Sequence, residues 1–521
     1  MPMRTFFSLF FFIALFTSCK TEVNNTSLTQ TTSEGFYNEV WRPQYHFTPA
    51  SGWMNDPNGL VYNDGRYHLF YQYYPHSTVW GPMHWGHAMS TDMMHWEHSP
   101  IALSPDENGL IFSGSAVVDE NNTSGFGKNG KVPLVAIFTY HNMLGEKSGG
   151  NTFQTQGIAY SLDNGDTWEK YQGNPVIGNN GTRDLRDPKV FWHTASQSWI
   201  MALVAGDYAK FYRSKNLKDW DHISDFGKNQ GAKGGVWECP DLFKLKVEGT
   251  DEEKWVLIIS IGSGAPNGGS GTQYFVGDFD GTTFTSDQRD YKWLDWGTDN
   301  YAGVTYNSTP NEERVFIGWM SNWQYALKTP ASTWRSAMTL PRSLSLRKLN
   351  TDYVLYNYPL KSTDDLVGEV DGKTISIPPG ETYTTLNSGL GESRISFSAP
   401  IEDFKLSFSN DVGERTALIL DSASSLLMLD RTQSGSTNFN YEFGNKLHYA
   451  AMNNISENLE LSIYLDRSSI EVFVNGGQYV MTDQLFPSEA YTKLSMENLS
   501  TNEIQIKDLK VGPMESVWKG D

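Results

Sequence analysis

Three acidic residues share one local setting: Asp56-Pro57-Asn58-Gly59-Leu60-Val61, Asp187-Pro188-Lys189-Val190-Phe191 and Glu238-Cys239-Pro240-Asp241-Leu242-Phe243. Each places a carboxylate just ahead of a proline and an apolar run. Two such carboxylates can cleave a glycosidic bond with retention. One attacks the anomeric carbon and the other protonates the leaving oxygen, the pair standing about 5–5.5 Å apart. The pair works only if one member is ionised while the other carries its proton. Asp187 follows Arg186, whose forked guanidinium stays charged and can hold hydroxyls beside it. Taken singly, an Asp before proline more commonly caps a turn. The chemistry therefore depends on whether the fold brings the three together.

The surrounding elements read as strands. No stretch sustains a helical apolar period for more than about two turns, while short alternating runs bounded by Gly, Asn or Asp recur, as in Arg66–Tyr71, Lys254–Ser260 and Arg314–Trp319. Three segments repeat Ser-x-Asp/Asn followed by Trp: Ser90-Thr91-Asp92 with Trp96, Ser161-Leu162-Asp163 with Trp168, and Ser214-Lys215-Asn216 with Trp220. Asp280-Gly281 with Phe284 is a looser copy. In such a hairpin a short polar side chain caps the turn and the ring packs beneath it. With Phe112-Ser113-Gly114-Ser115 and Asp299-Asn300-Tyr301-Ala302 occupying the slots between and after, the repeat positions fall at 56, 113, 187, 238 and 299, spaced 57, 74, 51 and 61 residues apart. Five units of a few strands each match the blades of a β-propeller, with an array of β-sandwiches as the alternative. In a propeller the first strand of every blade lines the central channel, so the three acids would converge at one mouth. After Leu360 the pattern changes. Residues 365–516 read as a β-sandwich, with Ile470, Val472 and Val474 alternating before an Asn475-Gly476 hairpin turn. The expected fold is all-β: a five-bladed propeller over 42–360, then the sandwich.

Composition sets the outer limits. Asp plus Glu number 60 against 40 Lys plus Arg, a net charge of −20 over 521 residues, which leaves no basic excess for nucleic acid or an anionic membrane surface. Aromatics are 14% of the chain, which suits strands and also the stacking of sugars on flat rings. Two cysteines cannot build a Cys-rich metal site. His84/His87 and His95/His98 have suggestive spacings, but residues three apart on a strand face opposite ways, so no metal and no cofactor is expected. Gly262-Ser263-Gly264 to Gly271 lacks a following Gly-Lys-Ser/Thr and reads as a mobile loop.

The N-terminus reads as an export signal: one positive charge in Met1–Arg4, an apolar run over Phe6–Phe16, then Thr17-Ser18-Cys19. This is similar to a bacterial lipoprotein signal, with Cys19 as the lipidated residue, although Phe16 stands where Leu is usual. Residues 20–41 are expected to tether the body to the cell envelope, the membrane being met only through that lipid.

Trp53-Met54-Asn55-Asp56-Pro57-Asn58-Gly59, Phe112-Ser113-Gly114-Ser115, Arg186-Asp187-Pro188 and Glu238-Cys239-Pro240 resemble, in order, the signature blocks of glycoside hydrolase family 32, the invertase, inulinase and levanase family. His46-Phe47-Thr48-Pro49, Tyr71-Gln72-Tyr73, Trp85-Gly86-His87-Ala88 and Asp466–Glu471 extend the similarity over 42 to about 515. The resemblance implies a propeller plus sandwich and a retaining mechanism on a fructofuranosyl unit. It implies Asp56 as nucleophile, Glu238 as acid/base and Asp187 as the residue that binds the fructose hydroxyls and stabilises the transition state. It further implies Arg186, Asn55, Gln72, Trp80, Ser113, Trp319 and Trp53 as substrate-binding residues. Asn300 departs from the pattern, an aromatic being common there. The implied substrate is a fructan or a sucrose-type sugar, with no obligate protein partner. The alternatives are an endo-acting levanase and a non-catalytic fructan-binding propeller.

Overall fold

The computed structural model describes residues 37–455 and 458–518. The signal, Cys19 and most of the expected tether lie outside them. Five antiparallel sheets form first, each opening on its innermost strand: Gly52–Asn63, Leu110–Val118, Leu185–His193, Trp237–Lys246 and Tyr301–Thr305. Consecutive inner strands touch, and the fifth touches the first, so the ring is closed as a propeller. Closure is also sealed by pairing, because Trp334–Arg335 adds in parallel to the first inner strand.

The repeated hairpins explain how so polar a chain folds into blades. In each of the first three blades the turn between third and fourth strands is capped by Ser and Asp or Asn. The indole N–H of the following Trp then donates to the carbonyl three residues back: Trp96 to Met93, Trp168 to Gly165 and Trp220 to Leu217, at 2.9, 3.1 and 2.9 Å. The fourth blade keeps only the cap, Asp280 Oδ1 accepting from the amides of Thr282 and Thr283. Below the mouth the channel is plugged by polar groups. Asn307 of the fifth blade donates its amide to Leu60 O and its side chain to Ala116 O and Val190 O, reaching three other blades. The buried Lys189 pairs with Asp241 at 3.1 Å.

The C-terminal sandwich stacks two six-stranded sheets over one apolar core, including Phe397, Leu406, Leu418, Ile463 and Val472. The alternation expected over Ile470–Val474 is present, and Asn475 and Gly476 take the positive φ of a tight hairpin turn. The polar member Glu471 does not face water, however. It is fully buried against the propeller, bonded to His46 Nε2, Leu340 N and Arg342. Burial opposes charge on His46, yet Asp466 and Glu471 hold its pKa up, to about 9. Among the described residues no helix is long and apolar enough to cross a membrane.

Candidate active site

Every inner strand breaks register at the same level. The irregularities fall between Met54 and Pro57, Ile111 and Gly114, Arg186 and Lys189, Glu238 and Asp241, and Tyr301 and Val304. A bulge re-aims side chains, and proline is tolerated there because no ladder hydrogen bond is needed from it. This accounts for the recurrence of a carboxylate beside proline. Asp187, Cys239 and Ala302 sit in these bulges with φ of 63°, 46° and 54°, a strained conformation for residues bearing a Cβ.

The bulges bring the three carboxylates to one mouth. The buried Cys239 thiol stands between two of them, its Sγ 3.5 Å from Asp56 Oδ2 and 3.7 Å from Asp187 Oδ2, while its amide donates to Asp187 Oδ2 at 3.0 Å. Asp56 accepts on Oδ2 from Ser113 Oγ at 2.6 Å and on Oδ1 from Asn55 Nδ2 at 2.9 Å. Arg186 donates to Glu238 Oε1 from Nε and Nη2, at 3.2 and 2.9 Å, and its remaining nitrogen pairs with Asp184 at 2.9 Å. Its fork thus grips Glu238 more closely than Asp187, from which Nε stands 4.0 Å away. The Tyr301 phenol donates to the other oxygen of Glu238.

Burial pushes Asp56 above the ordinary carboxylate range, and the charge of Glu238 adds to this, while Ser113, Asn55 and Cys239 pull it back. Asp187 is pushed up to about 7 by burial; Arg186 opposes this and Glu238 and Asp56 reinforce it. Burial with the surrounding carboxylates raises Cys239 and Tyr301 far enough to keep both protonated, as hydrogen-bond donors.

The remaining expected residues form the wall. Trp53 and Trp319 are fully buried, edge to face at 6.0 Å; Trp53 donates to Asn55 Oδ1 and Trp319 to Ser336 Oγ. They back the pocket, whereas the half-buried Trp80, packed on Phe112, and Trp323, 4.8 Å from Trp319, offer partly open rings. Gln72 is buried, and its Nε2 has no partner among the described residues. Asn300 is buried too, bonded to Asp295. The glycine-rich loop is not free as expected. Asn267 hydrogen-bonds Trp296 O, Tyr449 O and Tyr449 N of the sandwich, and Asn322 holds Gly268 O and Ser270 O. Histidines 84, 87, 95 and 98 each have separate partners: Pro82 O, His68, Asp92 and Tyr37.

Sequence reasoning missed Tyr301, Thr139 (whose Oγ1 accepts from the Asp187 amide at 3.0 Å), Asp184 and Trp323. Only Tyr301 carried a signal, lying two residues past the fifth repeat slot.

Family comparisons agree with this architecture. Residues 46–359 match the glycosyl hydrolases family 32 N-terminal domain, and 366–513 match the family 32 C-terminal domain. A levanase of Bacillus subtilis is 46% identical over 499 residues, covering 93% of this chain and 72% of that protein. An extracellular exo-inulinase of Aspergillus niger is 41% identical, covering 92% and 96%. The crystal structure of exo-inulinase from Aspergillus awamori superposes with a TM-score of 0.85 at 38% identity, over 92% of this chain and all of that one. A fructofuranosidase of Schwanniomyces occidentalis complexed with fructosylnystose superposes at 0.81 with 33% identity, over 91% and 99%. With both halves matched in order, the first of them closed as a five-blade ring, the chain belongs to glycosyl hydrolase family 32.

Proposed function

We propose that the chain is a retaining β-fructosidase that releases fructose from the ends of fructans, and from sucrose as a short substrate. The observation that carries this is the meeting of Asp56, Asp187 and Glu238 in one pocket, linked through Cys239 and Arg186. Asp56 attacks the anomeric carbon of the fructosyl unit through Oδ1, the oxygen with the fewer donors, while Glu238 gives its proton to the leaving oxygen. Glu238 then takes a proton from water, which displaces Asp56 and frees fructose. Asp187 binds the ring hydroxyls and steadies the positive charge of the transition state, and Arg186 with Tyr301 fixes the plane of Glu238. Asn55 and Ser113 hold Asp56. Gln72 spends its unpaired amide on a sugar hydroxyl, and Trp80 stacks on the sugar beyond. No step calls for a cofactor.

The similarity to an exo-inulinase favours exo action over the endo alternative. Digestion of levan, inulin and sucrose side by side tests both points: fructose as the sole early product supports the reading, and a ladder of oligosaccharides refutes exo action. Asp56→Asn should abolish turnover while sparing sugar binding; undiminished turnover refutes the nucleophile, whereas binding without any turnover in the wild-type chain would favour the non-catalytic alternative.

Export with a lipid on Cys19 belongs to the same proposal, resting on the sequence of the first nineteen residues. Cys19→Ala should release the enzyme from membranes, and persistent association would overturn it.

A further inference from the structure

Several sandwich side chains reach the segments beside the mouth of the propeller, Arg431 among them. Arg431, on the strand Leu426–Gln433, is fully buried, and every nitrogen of its fork is engaged. Nε donates to Phe443 O at 2.8 Å. Nη1 donates to Asp299 Oδ2 at 2.6 Å and to Gln484 O at 3.1 Å, and Nη2 donates to the Tyr325 hydroxyl at 2.9 Å. That hydroxyl in turn donates to Asp299 Oδ1 at 2.8 Å and bonds Thr298 Oγ1 at 3.0 Å. Both propeller partners lie two residues from groups that form the pocket. Tyr301 follows Asp299 and donates to Glu238, and Trp323 precedes Tyr325 and packs on Trp53 and Trp319.

The stretch between the fourth and fifth blades has no sheet of its own to hold it. It is strapped instead to the sandwich strand Tyr479–Gln484. The Trp296 and Asp299 amides donate to Val480 O and Thr482 O, at 2.7 and 2.9 Å, and the amides of Thr482 and Gln484 donate to Asp295 and Asp299. A second sandwich residue, Asn440, holds Gln324 O at 2.9 Å. Both pocket-bearing segments are therefore set by the sandwich, and Arg431 bonds a side chain of each, Asp299 and Tyr325, through one planar fork.

We propose that Arg431 is a positioning residue for the propeller's active site, fixing the Tyr301 phenol on Glu238 and the Trp323 indole in the pocket wall. This rests on Glu238 being the acid of the proposed mechanism. A planar fork with fixed donor directions suits the role, and the point charge of lysine cannot reach both partners at once.

The test compares kinetics on sucrose, which needs protonation of its leaving group, and on an aryl β-fructofuranoside, which needs little. Tyr301→Phe and Arg431→Lys should each lower kcat on sucrose by about tenfold more than on the aryl substrate, a fraction of what a general acid contributes. Arg431→Lys should also raise KM several-fold on both substrates, through Trp323. Leu418→Ala, a truncation in the sandwich core, controls for lost stability and should leave both the ratio and KM unchanged. If Arg431→Lys and Tyr325→Phe behave as Leu418→Ala does, the inference is overturned. Should Arg431→Lys not fold, Tyr325→Phe decides alone: a shifted substrate ratio supports the inference and an unshifted one overturns it. Glu238→Gln is run alongside. If it retains full turnover, the failure lies in the assignment of Glu238 and not in the coupling.

Discussion

The Ser113 hydroxyl donates to Oδ2 of Asp56 at 2.6 Å, across the seam between the second and first blades. Neither residue's own strand could supply that bond. It exists because both inner strands bulge at the same height. The bond from the neighbouring blade thus pulls the proposed nucleophile back towards its ionised form, against the burial and the Glu238 charge that raise its pKa.

Ser113→Ala should therefore move the acid limb of the pH dependence of kcat/KM upward. A hydrogen bond to a charged group is worth about 1.5–3 kcal/mol, which corresponds to roughly one to two pH units. The loss of rate should be largest below neutrality and recover as pH rises. An unmoved acid limb would show that Ser113 does not tune Asp56.

Glu238→Gln should lose most of its turnover on sucrose and fructans and much less on substrates with good leaving groups. Added azide should restore release of the fructosyl group from Asp56, as fructosyl azide, because an anionic nucleophile needs no general base. Absence of both effects would remove Glu238 from the acid/base role.

Asp187 binds a proton more tightly in the fold than its ordinary value of 3.8. Its contribution to stability is then complete below that value and is lost as pH climbs towards about 7. Asp187→Asn carries no such cost. It should melt several degrees above wild type at pH 8, with the gain vanishing near pH 4, while activity is lost throughout. Melting curves at the two pH values check this, and a pH-independent difference would contradict it.

Gly297 lies so close to the sandwich that a Cβ would fall 2.2 Å from both the amide nitrogen and the carbonyl oxygen of Thr482. Backbone cannot yield as a flexible side chain does, so Gly297→Ala should cost about 1–3 kcal/mol or more. The melting temperature should fall even though no catalytic group is touched. An unchanged melting temperature would mean that the two halves can part here without penalty.

Much of this was legible in the chain itself because its causes are local. A Ser-x-Asp turn with a Trp below it is capped by groups within seven residues, as Asp163 bonds Ser161 and Thr167. Repeats of such units imply blades, and blades imply that their first strands share a channel. Asp56, Asp187 and Glu238 could be picked out on that reasoning, and the family blocks added Ser113, Gln72 and the tryptophans. The glycine-rich loop misled because its anchors, Asn322 and Tyr449, are remote.

By itself the sequence determined the strands, the turns, the five-fold repetition and the identity of three acids set just ahead of a proline and an apolar run, since each of these follows from side chains close along the chain. Only the tertiary structure decided what surrounds those acids. Tyr301 meets Glu238 across 63 residues, and Arg431 meets Asp299 across 132. Such pairs form because ring closure and the docking of the sandwich bring distant backbone into contact, and no local pattern of polarity encodes which buried donor will face which carboxylate.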